Sequence, residues 1–271
     1  MMTDRPLIVI KGAGDLATGV AHRLYKSGFP IIMTEVAEPL VVRRTVSYAE
    51  AVFSGTVTVE GVVASRASSE EEALNMTEKG IIPVMVDPEA QVVKNLHPTV
   101  VVDGIMAKGN TLTRIDDAPL VIGIGPGFNA GVDVDAIIET KRGHNLGRVI
   151  YEGSAIPDTG APGEVLGYSR ERLLRAPVDG IVKPCYEIGQ QVKKGDIVAY
   201  VDSTPVIAEL SGLIRGMLHE GIQVKAKVKL GDIEPRVGID YHTISDKARA
   251  IGGAVLEVVC GYLWNRDRTI N

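Results

Sequence analysis

Leu7-Ile8-Val9-Ile10-Lys11-Gly12-Ala13-Gly14-Asp15-Leu16-Ala17-Thr18-Gly19-Val20 starts as an apolar β-branched run, turns on two glycines and continues into an apolar four-residue rhythm. That order reads as strand, tight turn and helix start. Gly12, Gly14 and Ala17 fill a G-x-G-x-x-A pattern in this context. Gly12 permits the sharp turn, Gly14 lets a phosphate approach main-chain N–H groups, and Ala17 lets helix and strand pack closely. A pyrophosphate would rest on the helix N-terminus, where Asp15 and Thr18 lie. Glu35 closes the next apolar run and is placed to accept from ribose hydroxyls. The competing reading is the same fold without a nucleotide.

Working outward, short apolar runs alternate with helical segments. Strand candidates are Leu7–Ile10, Ile31–Thr34, Val62–Ala64, Pro83–Val86, Thr99–Val102 and Leu120–Ile122. Helices are predicted over Asp15–Ser27, Ser68–Lys79 and Asp133–Lys141. The alternation predicts a Rossmann-like α/β domain with a parallel, doubly wound sheet over residues 1–169.

From about Arg175 the texture becomes β-rich and repeats. Arg175–Val182 aligns with Ile207–Ile214 at an offset of 32, which also matches Gly189 with Gly221 and Val192 with Val224. A short insertion then brings Gly231-Asp232 onto Gly195-Asp196. Two such copies predict a barrel-sandwich (biotinyl/lipoyl-like) domain over 170–240. The joint Val201–Ile207 holds no lysine, so a swinging-arm role does not transfer. Residues 241–271 predict a C-terminal helix packing back on the core; its Gly252-Gly253 pair fits a close backbone approach.

Further candidates lie at predicted loops. Gly125 and Gly127, within Gly123–Asp133, expose backbone after a strand, as a ligand loop or a structural crossover would. Asp133 fits a helix cap as well as a catalytic acid. Asp103 and Lys108 resemble an active-site loop or a salt-bridged turn, and His144 fits a general acid/base or a C-terminal cap. Arg43 and Arg44 fit solvated surface better than a phosphate contact, and Lys225, Lys227 and Lys229 fit one solvated strand face better than a binding site. Cys185 and Cys260 have no metal-ligand spacing and read as two unrelated buried thiols. No metal site is expected. The zincin, α/β-hydrolase and P-loop patterns are missing.

With 29 Lys/Arg against 34 Asp/Glu, the net charge of −5 argues against electrostatic nucleic-acid binding. No signal-peptide pattern or bilayer-length apolar run is visible, so a cytoplasmic protein without membrane contact is expected.

Val9–Leu24, Arg43–Ala51, Ile122–Phe128, Glu139–His144, Gly231–Arg236 and Ile244–Gly253 together resemble the selenium-dependent molybdenum hydroxylase accessory proteins of the YqeB type, over about residues 7–260. The resemblance implies a role in maturing a molybdenum hydroxylase client enzyme. It supplies no reaction and no residue role. A nucleotide or a phosphate-bearing molecule such as the molybdenum cofactor would sit at the glycine-rich loop. Two alternatives stay open: an oxidoreductase using NAD or NADP, with Asp103, Lys108 or His144 polarising the substrate, and a non-enzymatic docking scaffold. Whether the chain is an enzyme is left open by the sequence, as are ligand identity and oligomeric state.

Overall fold

The computed structural model describes residues 5–107, 109–158, 160 and 163–269. The chain divides into two compact units, one of residues 1–39, 47–158 and 244–271, the other of residues 40–46 and 159–243.

The first unit carries β1 (Ile8–Lys11), β2 (Ile31–Glu35), β3 (Thr56–Val59), β4 (Val62–Ala67), β5 (Ile82–Val86), β6 (Val100–Asp103), β7 (Leu120–Ile124), β8 (Ala136–Ile138) and β9 (Val149–Ile150). They form one sheet in the order β3-β4-β5-β2-β1-β6-β7-β8-β9. Neighbours from β4 to β8 run parallel, while β3 on β4 and β9 on β8 run antiparallel. Ile8, Val9, Ile10, Val100, Val101 and Val102 are fully buried, as expected of strands covered on both faces. The six strand candidates all fall on strands of this sheet.

The helices of this unit are α1 (Asp15–Lys26), α2 (Ala51–Ser54), α3 (Glu70–Glu78), α4 (Gln91–Leu96) and α5 (Asp246–Thr269). α3 begins on a side-chain cap: Ser69 Oγ accepts the Glu72 N–H at 3.1 Å. α5 lies against α1, and small residues set how close they come. A Cβ on Gly252 would stand 2.7 Å from the Gly19 carbonyl oxygen. Ile251, Val255 and Val259 are fully buried, each stabilising the fold by roughly 1.5–3 kcal/mol.

Two expectations need correction here. The sheet is mixed, not the parallel sheet of a Rossmann-like domain, because antiparallel strands close both edges. The predicted helix over 133–141 is absent. Ala136–Ile138 forms β8 instead and pairs with β7. Val134, Ile137 and Ile138 suit a helix face and a doubly buried strand equally in sequence, and the open pairing edge of β7 decides.

The second unit is antiparallel. Its strands are β10 (Leu173–Arg175), β11 (Gly180–Pro184), β12 (Gln191–Val192), β13 (Ile197–Val201), β14 (Thr204–Ile207), β15 (Gly212–Met217), β16 (Gln223–Val224) and β17 (Lys229–Glu234). They make two four-stranded sheets, β10-β17-β15-β12 and β14-β13-β11-β16, in place of the biotinyl/lipoyl-like barrel-sandwich expected from the repeat. The repeat itself is real: β11, β12 and β13 begin 32 residues before β15, β16 and β17. The offset holds through β17, so no insertion is needed. Lys227 occupies the turn position of Gly195 and adopts φ +71° where the glycine has +97°. Lys225 and Lys227 therefore lie in a turn, not on a strand face. Lys225 Nζ pairs with Asp179 at 2.8 Å.

The motif Gly231–Arg236 builds β17 and carries a buried ionic group. Arg236 grips the Glu234 carboxylate with two bonds of 2.8 and 2.9 Å, and Arg172 lies 3.5 Å from it. Burial pushes the Glu234 carboxyl up, but the bonds and charge of Arg236 outweigh it and hold the group below its ordinary range.

Candidate functional site

The carboxyl ends of the central parallel strands gather the sequence-predicted residues of the first unit. β1 ends at Lys11, and Gly12 turns the chain with φ +86°. The Gly12 N–H bonds the Thr34 carbonyl at 2.9 Å, and the Ala13 N–H bonds Glu35 Oε2 at 2.9 Å. Glu35 Oε1 accepts from its neighbour Val36 at 2.8 Å. Burial raises the Glu35 carboxyl above its ordinary range, against the lowering effect of those two bonds. Thr18 is fully buried; its hydroxyl bonds the Ala13 carbonyl and accepts the Tyr48 N–H.

The segment after β6 covers the glycine turns. A Cβ on Gly12 would meet Ile105 Cα at 3.0 Å, one on Gly125 would meet Met106 Cε at 3.3 Å, and one on Gly127 would meet Gly109 Cα at 3.1 Å. Gly12, Gly125 and Gly127 are thus brought together by residues 105, 106 and 109. The cover is tied down from below. Lys11 Nζ donates to Thr113 Oγ1, which donates on to Asp103 Oδ2, each at 2.5 Å. All three side chains are buried. Asn110 clasps the Thr113 main chain with two bonds of 2.8 Å.

What stays open is the first turn of α1. Gly14, Asp15 and Leu16 are half-buried, and the Gly14 N-cap supplies no side-chain hydrogen bond. An α-helix begins with N–H groups that lack intrahelical partners, and donors of that kind suit an anion. Half-buried Lys247, from the first turn of α5, feels Asp15, Glu139, Asp158 and Arg142. Burial, reinforced by Arg142, pushes its ammonium below the ordinary lysine range; the three carboxylates act in the opposite sense. Arg142 is itself held by Asp246 through bonds of 2.7 and 2.9 Å. Glu139 is buried, and its oxygens accept the Lys141 and Ile156 N–H groups. Asp158 also lines a cleft of about 460 Å³ with Pro126, Gly127, Phe128 and Asp133. Lys247 is thus the electrostatic link between the first turn of α1, through Asp15, and the cleft at Asp158.

The remaining predicted residues lie elsewhere. His144 is exposed in the turn between β8 and β9. Lys108 lies outside the described residues. Asp133 caps its own loop by accepting the Asn129 N–H at 2.8 Å. Arg43 is buried and Arg44 half-buried, not solvated: Arg44 Nε bonds the Met217 carbonyl at 2.8 Å within the second unit. Both cysteines are free and exposed, where buried thiols were expected. Among the described residues no group of three His, Cys, Asp or Glu side chains is arranged to hold a metal ion, and no helix is long and apolar enough to cross a membrane. Sequence reasoning missed Lys11, Thr113 and Lys247. A lysine ending an apolar strand was the one visible signal, since a charge is rarely buried without a partner.

No protein-family model matches the chain. Over 254 residues it is 51% identical to a protein of Escherichia coli (strain K12) called uncharacterized protein YqeB. That match takes in 93% of this chain and 47% of the relative, so the chain spans about half the length of the curated relative it matches. Similar solved structures include the product-bound ectoine utilization protein EutE (DoeB) from Ruegeria pomeroyi, at 11% identity, 86% of each chain and a TM-score of 0.26. An aspartoacylase family protein from Mesorhizobium loti matches at 12% identity, 87% of each chain and a TM-score of 0.27. These structural likenesses are too slight to transfer fold or chemistry.

Proposed function

We propose, taking the chain's likeness to YqeB as the premise, that it is a cytoplasmic accessory protein in the maturation of a selenium-dependent molybdenum hydroxylase. In this reading it holds a phosphate-bearing molecule at the first turn of α1. One observation carries the reading: that turn has no side-chain cap, is half-exposed, and stands within the electrostatic reach of Lys247. Phosphate suits N–H donors at a helix start and a nearby ammonium. The residues present fit the phosphate of a molybdenum cofactor in that sense, and the metal chemistry would be the cofactor's own. The pyridine-nucleotide alternative is less well supported, because Glu35 already holds two main-chain N–H groups.

The test has two arms. Calorimetric titration of the chain with a pterin phosphate is expected to show binding that Lys247→Met weakens about tenfold, the loss of one charge-assisted contact. The melting temperature should not fall, because the lost ammonium is a desolvated one. In cells, a deletion strain should lose molybdenum hydroxylase activity, restored by the wild-type chain and not by Lys247→Met. Full hydroxylase activity in the deletion strain overturns the maturation role. Unchanged binding by Lys247→Met overturns the site.

A further inference from the structure

The C-terminal half of α1 and the start of α5 border a second concavity of about 210 Å³. Arg23 and Lys26 of α1 and Arg249 of α5 line it, together with His22 and Glu60, the latter from the turn between β3 and β4. None of the three cations has an ion pair or side-chain hydrogen bond among the described residues. Glu60, the carboxylate at this cavity, is already engaged: its Oε1 accepts the Ile244 N–H at 2.7 Å.

His22 supplies an independent observation. Its Nε2 is buried and has no hydrogen-bond partner among the described residues, and the Glu60 main chain favours the charged form of the ring. A neutral imidazole carries one N–H, so Nε2 is left unused whichever tautomer is present. Protonation turns Nε2 into a donor and calls for an acceptor that the chain does not provide. Three cations against the single carboxylate of Glu60 leave the cavity net positive, which favours an anion.

We propose that this concavity binds a small phosphate-class oxyanion, either inorganic phosphate or the phosphate of a small monoester, held by Arg23, Lys26, Arg249 and protonated His22. It is separate from the first turn of α1 and does not depend on the function proposed above. Guanidinium forks and an ammonium match a tetrahedral oxyanion. The cavity is much smaller than the cleft at Asp133 and takes a phosphate-sized group rather than a dinucleotide. Without the anion, burial keeps His22 below its ordinary pKa, and Lys26 and Arg23 push the same way against Glu60. The bound anion reverses that balance, so phosphate binding and His22 protonation support each other.

The experiment uses the full chain with ¹³C-labelled histidine, the His22 resonance being assigned from His22→Gln. The pH titration is followed by NMR in inorganic phosphate, in glycerol phosphate and in chloride of equal ionic strength. A saturable rise of about tenfold in His22 proton affinity is expected with phosphate, with the monoester or with both, the effect of a close opposite charge. The responding arm identifies the source. Arg249→Gln, on an exposed helical position, should abolish the rise while leaving the circular dichroism unchanged. Identical His22 titration in all three salts overturns the proposal, as does a rise that survives in Arg249→Gln.

Discussion

Gly252 and Gly253 are adjacent in α5, yet alanine should act on them with opposite sign. In an exposed helix interior, Gly→Ala gains about 1 kcal/mol from backbone entropy. At Gly253 nothing lies within 4 Å of the added Cβ, so that gain should appear nearly whole, as about 0.5–1 kcal/mol of stabilisation. At Gly252 the same methyl stands 2.7 Å from the Gly19 carbonyl oxygen and 3.2 Å from Arg23 Cβ. A carbonyl in the middle of α1 has no rotamer to change, so the helices must part. Overpacking of this kind costs roughly 1–3 kcal/mol, which exceeds the propensity gain and leaves a net loss of about 1 kcal/mol. Urea denaturation followed by circular dichroism at 222 nm reads both variants against wild type. The two midpoints should move in opposite directions with equal slopes. If Gly252→Ala proves as stabilising as Gly253→Ala, the two helices are not in backbone contact at Gly19, and the packing argument fails.

Lys227→Gly should stabilise the second unit by about 0.5–1 kcal/mol, because a left-handed conformation costs an L-residue more than glycine loses in the unfolded chain. Thermal denaturation reads it, and a lower midpoint would show that the φ of +71° carries no strain. Glu35→Gln should change the pH dependence of stability. The raised pKa of Glu35 means that the folded chain binds its proton more tightly than the unfolded chain does. Its favourable contribution is therefore complete below the ordinary glutamate pKa of 4.5 and is lost as pH rises through the raised value. Wild type minus variant, from urea midpoints, should fall as pH rises above 4.5. A difference independent of pH would refute the linkage.

The elements that were legible in the sequence are those whose signal is local. α1 was visible because Leu16, Val20 and Leu24 repeat at four-residue steps and glycines precede them. β8 was not, because three residues cannot distinguish a helical stripe from a buried strand until β7 offers them a partner. The repeat was legible at Gly180 and Gly212 and misleading at Gly231. Matching glycine to glycine there hid the true counterpart of Gly195, which is a lysine in a glycine conformation. The candidate site divided the same way. Gly14 and Asp15 were legible from the turn itself. Lys247 arrives from the far end of the sequence and Thr113 from a loop without periodicity, so only the folded chain places them.

That division bears on how a glycine-rich turn should be read. Gly12 is required by the fold alone: its φ is positive, and Ile105 leaves no comfortable room for a Cβ. Gly125 and Gly127 are required in the same way, by φ of +78° and +116° and by Thr140 and Gly109. Since packing accounts for these glycines, their presence no longer argues for a phosphate. What distinguishes a ligand site here is something that composition does not show, the difference between two helix starts in one unit. α3 satisfies one opening N–H group with Ser69, whereas the glycine that caps α1 offers no side-chain bond and the first turn has a desolvated ammonium among its electrostatic neighbours. A side-chain cap is worth about 1 kcal/mol against alanine and a few tenths against glycine, so Gly14 forgoes a small part of the stability that a serine there would supply. An external anion restores the loss, and that is the physical sense in which the first turn of α1, rather than the glycines before it, is the place to look for a ligand.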